Sequence, residues 1–188
     1  MKLENLKDFE WYNEPENVLF TDHEMKIVAR PQTDFWQSRH HQISKDNGHF
    51  FHQVRFDDFC CVAECVFDRA DAFNQCGLMV RIDAENWFKM SVMSSNAESP
   101  EIGTCLTQCG CSDWAADHLE SLPEHIWYKL LRRGSDYAAF YSLDGQDFKR
   151  VRQFSFIQPA AEVETGAYFC APGASNFGAT LCNIDITD

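Results

Sequence analysis

Hydrophobic and polar positions along this chain follow a period of two far more often than one of 3.6. Short runs rich in Val, Phe, Tyr and Cys recur at 25–29, 49–56, 59–67, 76–82, 87–93, 102–108, 126–133, 137–142, 148–154, 166–170 and 177–186. Each has the length and composition of a β-strand. Turn chemistry punctuates them: DNG at 46–48, RGSD at 133–136, LDG at 143–145 and APGASN at 171–176. The best helical window, Trp114–Leu122, predicts only a short turn ahead of Pro123. Many short strands without crossover helices predict an all-β sandwich or barrel of antiparallel sheets. The length of 188 residues predicts a single domain over 1–188.

Two hairpins show how polar positions set register. In FNQCGLMVRIDAENWFKMSVM, residues 73–93, a four-residue loop would put Lys89 on the core face, unpaired, at a cost of several kcal/mol. A loop over 82–86 instead sets Arg81 opposite Trp87 and Met79 opposite Lys89. Leu78, Val80, Phe88, Met90 and Val92 then share the core face, and Gln75, Arg81, Trp87 and Lys89 share the other. In the second hairpin, a three-residue loop Gly134-Ser135-Asp136 sets Arg133 opposite Tyr137, Leu130 opposite Phe140 and Lys129 opposite Tyr141.

Composition narrows the class. The chain carries 29 Asp plus Glu against 16 Lys plus Arg, a net charge of −13. A phosphate backbone would be repelled, so no nucleic-acid partner is expected. The nine cysteines are odd in number, and their spacings match no zinc pattern. Cys61 and Cys65 alternate with Ala63 on one strand face, as small buried hydrophobes do. His40, His41, His49 and His52 lack a carboxylate or thiol at ligand spacing, so neither a metal nor another cofactor is expected. The opening MKLENLKDFEWYNEP is too polar for a signal peptide. No run approaches the ~18 apolar residues of a membrane span. Reduced thiols without a leader lead us to expect a cytoplasmic protein that engages no membrane.

The polar face of the first hairpin has what a sugar site needs. An indole stacks on the C–H face of a pyranose while Gln, Arg and Lys donate to hydroxyls. The same residues also fit a solvated sheet face on which cations lie over an aromatic ring. TDFWQSRHH adds Asp34 and Trp36 on one side of a strand, and CSDWAAD adds Ser112, Asp113 and Trp114 in a loop-like stretch, where a Ser-Asp pair also suits a helix N-cap. Hydrolysis of a glycoside needs two carboxylates facing one another across a groove. The predicted strands offer only Glu64, isolated among apolar neighbours, which leaves Asp34 and Asp113 as candidates. No phosphate loop, dinucleotide fingerprint or G-x-S-x-G occurs.

Six motifs stand in order: NEP at 13–15, TDFW at 33–36, NQCGLMVRIDAENWFK at 74–89, SDW at 112–114, LLRRG at 130–134 and YSLDG at 141–145. In this the chain resembles the concanavalin A-like jelly-roll family sometimes called regulation-of-enolase proteins. The resemblance covers nearly the whole chain and implies a β-sandwich of two curved antiparallel sheets, one with a concave face. Lectins and glucanases of that architecture hold carbohydrate there. It further implies a cytoplasmic protein linked to galactose metabolism and an enolase, as for a yeast member. Asp34, Trp36, Gln75, Trp87, Lys89, Ser112, Asp113 and Trp114 match its recurring motifs. Four positions beyond the lysine the family commonly carries an acidic residue, where this chain has Met93.

These readings lead us to expect a lectin-like domain that binds a small carbohydrate or sugar-like metabolite without strong catalysis. Its ligand contacts would be Asp34, Trp36, Gln75, Arg81, Trp87, Lys89, Ser112, Asp113 and Trp114, with no catalytic residue. A cytosolic protein regulating a metabolic enzyme and a glycoside hydrolase are the alternatives.

Overall fold

The computed structural model describes residues 6–67, 72–94 and 99–188, so the first five residues of the polar opening stretch lie outside it. Among the described residues, sixteen strands follow one another. The first eight are β1 (Glu10–Tyr12), β2 (Asn17–Phe20), β3 (Met25–Ala29), β4 (Phe35–Ser38), β5 (Ile43–Asp46), β6 (His49–Arg55), β7 (Phe59–Phe67) and β8 (Gln75–Asp83). The others are β9 (Asn86–Ser94), β10 (Pro100–Gln108), β11 (Cys111–His118), β12 (Ile126–Arg133), β13 (Asp136–Ser142), β14 (Lys149–Ser155), β15 (Val163–Cys170) and β16 (Phe177–Thr187). They form the expected jelly-roll sandwich of two curved antiparallel sheets. One sheet has nine strands in the order β1-β6-β15-β8-β9-β10-β11-β4-β5, the other seven in the order β14-β13-β12-β7-β16-β3-β2. No helix among the described residues is long and apolar enough to cross a membrane.

The main core lies between the sheets and follows the period-two pattern. Leu78, Val80, Phe88, Met90 and Val92 point inward from the nine-stranded sheet. Cys61, Ala63, Cys65, Ile126, Tyr128 and Leu130 meet them from the other. The 75–94 hairpin adopts the register that charge sorting predicts, with Arg81 opposite Trp87 and Met79 opposite Lys89. Its turn is tighter than expected, because Asp83 pairs with Asn86 and the register shifts between Arg81 and Asp83. An extra residue in a bulge gives the same register as a longer loop.

Two expectations are corrected. The second hairpin pairs Arg133 with Asp136, Leu130 with Ala139 and Lys129 with Phe140, one residue away from the predicted register. Gly134 takes φ of +59°, which allows a two-residue turn where three were expected. The predicted helical turn over Trp114–Leu122 is instead largely strand, since β11 pairs with β10 from Cys111 to His118.

The nine-stranded sheet also curls until its two edge strands touch. The Tyr12 hydroxyl on β1 donates to Asp46 Oδ2 on β5 at 2.7 Å, and Asn13 Nδ2 donates to the Asp46 carbonyl at 3.1 Å. The β4–β5 hairpin therefore folds across part of the concave face and brings Phe35 down onto it. A second buried cluster forms beneath: Phe35, Phe50, Met79, Trp87, Cys105, Tyr168 and Cys170. The Phe35 ring meets the edges of Trp87 and Tyr168, with both centroids 6.3 Å away. Strand β8 is consequently buried on both faces from Gln75 to Arg81.

Candidate functional site

What the β4–β5 hairpin leaves open on the concave face is a cleft of about 400 Å³, lined by Asp34, Trp36, Phe73, Gln75, Lys89, Met93, Trp114 and Pro172. Such a volume suits a small-molecule site. Asp34, Trp36, Gln75, Lys89 and Trp114 thus converge as the sequence suggested, from four strands and the loop ahead of β4.

Asp34 is held from several sides. Its backbone N–H donates to Asn47 Oδ1 at 3.0 Å, and its carbonyl accepts from the Asn47 and Gly48 N–H groups at 3.1 Å each. The DNG turn is thereby the clamp on the loop that carries Asp34. Its carboxylate Oδ1 accepts from the Phe35 N–H at 2.8 Å and from Lys89 Nζ at 2.9 Å. The Lys89 side chain is 1% exposed and the Asp34 side chain 21%, so the carboxylate is the accessible member of the pair. Lys89 Nζ also lies 5.6 Å from the Trp87 ring centroid and 5.5 Å from that of Tyr168. Burial pulls the Lys89 ammonium toward deprotonation, but the Asp34 charge outweighs it, with smaller help from Cys170 and Cys105, and its pKa is raised. The lysine is a buried, fully charged cation whose counter-ion faces the cleft.

The walls are aromatic. Trp114 lies over Gly103 on the neighbouring strand, where an added Cβ would stand 2.0 Å from the indole. Only glycine leaves that seat for the ring. Gln75 is fixed by its Nε2 donating to the Phe73 carbonyl at 3.1 Å and its Oε1 accepting from the Tyr168 hydroxyl at 3.1 Å.

Four predicted ligand contacts lie elsewhere. Trp87 is fully buried, and its Nε1 donates to the Ala84 carbonyl at 3.2 Å. It braces Lys89 and Phe35 from behind, since the hairpin that covers it comes from residues about fifty positions away in the chain. Arg81 sits farther along the same face, paired with Asp46 at 3.2 Å and Glu164 at 3.1 Å, with the Tyr12 ring 4.4 Å away. Ser112 Oγ accepts from the Gln37 N–H at 2.9 Å and lies 2.6 Å from Thr107 Oγ1, tying β4 to β10 and β11. Asp113 points the other way, as strand alternation requires, and pairs with Arg152 of the opposing sheet at 2.7 Å. The two carboxylates weighed for hydrolysis therefore do not face each other across one groove.

Phe73, Met93 and Pro172 complete the lining and were not foreseen as contacts. Phe73 is 48% exposed and has φ of +69°, a left-handed conformation that bulky residues seldom take and that a single sequence does not disclose. Met93 follows from the strand period, because it lies two positions past Ser91 on the Lys89 face. Glu64, read as isolated, instead meets His125 Nδ1 at 2.8 Å on the far side of the molecule.

Comparison with known proteins agrees with this architecture. A yeast (Saccharomyces cerevisiae) protein named Regulation of enolase protein 1 is 27% identical over 120 residues, which span 64% of this chain and 60% of that one. A solved structure of a functionally unknown S. cerevisiae protein is similar with a TM-score of 0.89 at 22% identity, covering 97% of both chains. A GH43 protein from Bacillus licheniformis is similar with a TM-score of 0.74 at 12% identity, over 95% of this chain and 36% of its own. That last likeness is one of fold alone. The family model described as protein of unknown function (DUF1349) matches residues 11–188, and the chain belongs to that family.

Proposed function

We propose that this protein is a lectin-like domain that holds a small carbohydrate or sugar-like metabolite in the concave cleft without strong catalysis. The observation that carries the reading is the pairing of aromatic walls, Trp36 and Trp114, with the part-exposed Asp34 carboxylate in one cleft of about 400 Å³. Indole faces stack on the C–H face of a sugar ring, and a fixed carboxylate accepts from its hydroxyls. Gln75 and Lys89 orient these groups from the floor, while Trp87, Arg81 and Ser112 support them from outside the lining. Binding fits better than hydrolysis because Asp34 is the acidic residue of the lining, and the acid–base chemistry of glycosidases needs two. The glycoside-hydrolase neighbour supports the fold as a carrier of such a cleft, not a shared reaction.

Calorimetry of the full chain against a panel of mono- and oligosaccharides tests the reading. Saturable binding by the wild type, weakened about tenfold by Trp36→Ala or Trp114→Ala, is expected. Signals that never saturate across the panel, or that are the same in all three proteins, overturn it.

A second reading is favoured by the name of the yeast relative: a cytoplasmic regulator that acts by contact with a metabolic enzyme such as enolase. It requires the purified chain to alter enolase activity or to co-elute with the enzyme. Unchanged kinetics and separate elution at micromolar concentrations count against it.

A further inference from the structure

The outer face of the seven-stranded sheet, away from the concave cleft, carries a second constellation. On β16, Leu181 pairs with Cys65 and Asn183 with Glu64, so Cys182 is the extra residue of a bulge. A bulge re-aims the side chain it carries, and bulges are common beside functional sites. The neighbour thereby given to Cys182 is Glu64, whose Oε1 lies 2.8 Å from Nδ1 of His125, just ahead of β12. The His125 ring is stacked on Trp127, with centroids 5.9 Å apart and planes 20° from parallel. One ligand atom from each of Glu64, His125 and Cys182 can be chosen so that all three lie within 4.8 Å of one another. Beside them opens a surface depression of about 510 Å³, bordered by Ser121, Pro123, Glu124 and Leu143.

We propose that Glu64, His125 and Cys182 bind a divalent transition-metal ion of the zinc class, with a fourth coordination position open toward this depression. A surface ion pair accounts for Glu64 and His125, but not for a bulge that turns a thiol to the same point. The donor set is one carboxylate oxygen, one imidazole nitrogen and one sulfur. Calcium and magnesium require all-oxygen shells, whereas this mixture suits zinc and its neighbours. Metal–ligand lengths of about 2.0–2.3 Å place tetrahedral donors about 3.3–3.8 Å apart, so the 2.8 Å Glu64–His125 contact opens slightly and the sides to Cys182, no longer than 4.8 Å, close by at most about 1.5 Å. That movement is within reach of half-exposed side chains such as His125. On binding, Cys182 loses its thiol proton to solvent and ligates as the thiolate, while the hydrogen between His125 Nδ1 and Glu64 passes to Nε2, so that the neutral imidazole and the carboxylate both turn lone pairs to the ion. Trp127 holds the imidazole plane, the role that outer contacts play around metal ligands. Three protein ligands plus an open position is the arrangement of zinc sites that take up water or a small anion.

The test uses the full chain, reduced and stripped with a chelator, titrated with Zn²⁺ by calorimetry and with Co²⁺ by absorption. One equivalent of Zn²⁺ per chain is expected, and Co²⁺ develops a thiolate-to-metal charge-transfer band. Cys182→Ser abolishes that band and weakens Zn²⁺ binding at least tenfold, and Glu64→Gln and His125→Ala each weaken it. Cys111→Ser, at an exposed thiol, leaves both signals unchanged. Circular dichroism of each variant checks the fold, and His125→Ala decides the matter if the substitution within the strand disturbs it. Absence of saturable binding overturns the proposal. So does a band that survives Cys182→Ser, or one that Cys111→Ser removes.

Discussion

Lys89 and Asp34, 55 residues apart in the chain, form an ion pair of 2.9 Å in which the cation is wholly buried and the anion is not. The pair fastens the β4 loop to the floor of the concave face and leaves a carboxylate presented to the cleft.

The two halves of this pair differ in what their loss leaves behind. Asp34→Asn strands a charge that is 1% exposed, whereas Lys89→Met leaves a carboxylate that reaches solvent. Breaking a buried pair costs about 3–5 kcal/mol when the remaining charge has no solvent. Urea denaturation should therefore find Asp34→Asn the more destabilising change, at about that size, and Lys89→Met clearly milder. Equal losses would show that solvent access does not govern the pair.

Acid should weaken the fold before most carboxylates titrate. His49 is buried, its Nε2 accepting from the Arg30 N–H at 3.1 Å and its Nδ1 facing the Asn13 carbonyl. Burial lowers the pKa of both His49 and His52 below 6.5. As pH falls through about 6.5 the unfolded chain takes up protons first, so this stability is lost on acidification and complete above that value. Lys89 has the opposite sign, because its raised pKa gives stability that is full below about 10.5 and fades only above it. Unfolding free energies compared at pH 5 and 7.5 should be lower at pH 5, and His49→Gln should narrow the gap. A flat profile over that interval would contradict the assignment.

Gly103→Ala separates the cleft wall from the fold. The new methyl would stand 2.0 Å from the Trp114 indole, so the ring must leave its seat. A cost of about 1–3 kcal/mol is expected from the strain, together with a shift in tryptophan emission and a loss of ligand binding. Retained emission and affinity would mean that Trp114 does not need this seat.

Ser112→Ala tests how the covering hairpin is held. The hydroxyl serves both Gln37 and Thr107, while β4 and β11 share the single backbone pairing Cys111–Ser38. Leaving those partners unsatisfied should cost about 1–3 kcal/mol. Hydrogen exchange should quicken across residues 35–46 more than across β8 and β9. Uniform exchange throughout the sheet would place the anchor elsewhere.

Local pattern carried far in this chain. Sorting Lys89 away from Leu78, Val80 and Phe88 was enough to choose the pairing of β8 with β9, because a one-residue slip exchanges the faces of a whole strand. The second hairpin failed the same exercise. Its turn length rests on the +59° φ of Gly134, and from that turn the ladder runs without a shift from Arg133–Asp136 to Trp127–Ser142. Strand β11 was misread because six of its eight positions are exposed, so CSDWAADH offers no buried alternation to detect.

Pattern in the sequence determined an antiparallel all-β chain and the inward face of its central strands. The family resemblance added the two-sheet sandwich, and the two together grouped Asp34, Trp36, Gln75, Lys89 and Trp114 with four residues that lie elsewhere. Alternation and turn residues act over a few positions, and that range suffices for strands and their faces. Only the tertiary structure decided which of the polar-face residues stay open. The curl that joins Tyr12 to Asp46 lays Phe35 over Trp87 and turns an expected stacking platform into core. It leaves Trp36 and Trp114 as the walls and brings in Phe73, Met93 and Pro172. Alternation along β11 turns Asp113 away from Trp114, and the packing of the two sheets brings Arg152 to it. The meeting of Glu64, His125 and Cys182 is of the same kind, since it depends on a bulge and on sheet neighbours 61 and 118 residues from Glu64. Contacts at that separation are set by how whole sheets close, which no local pattern encodes.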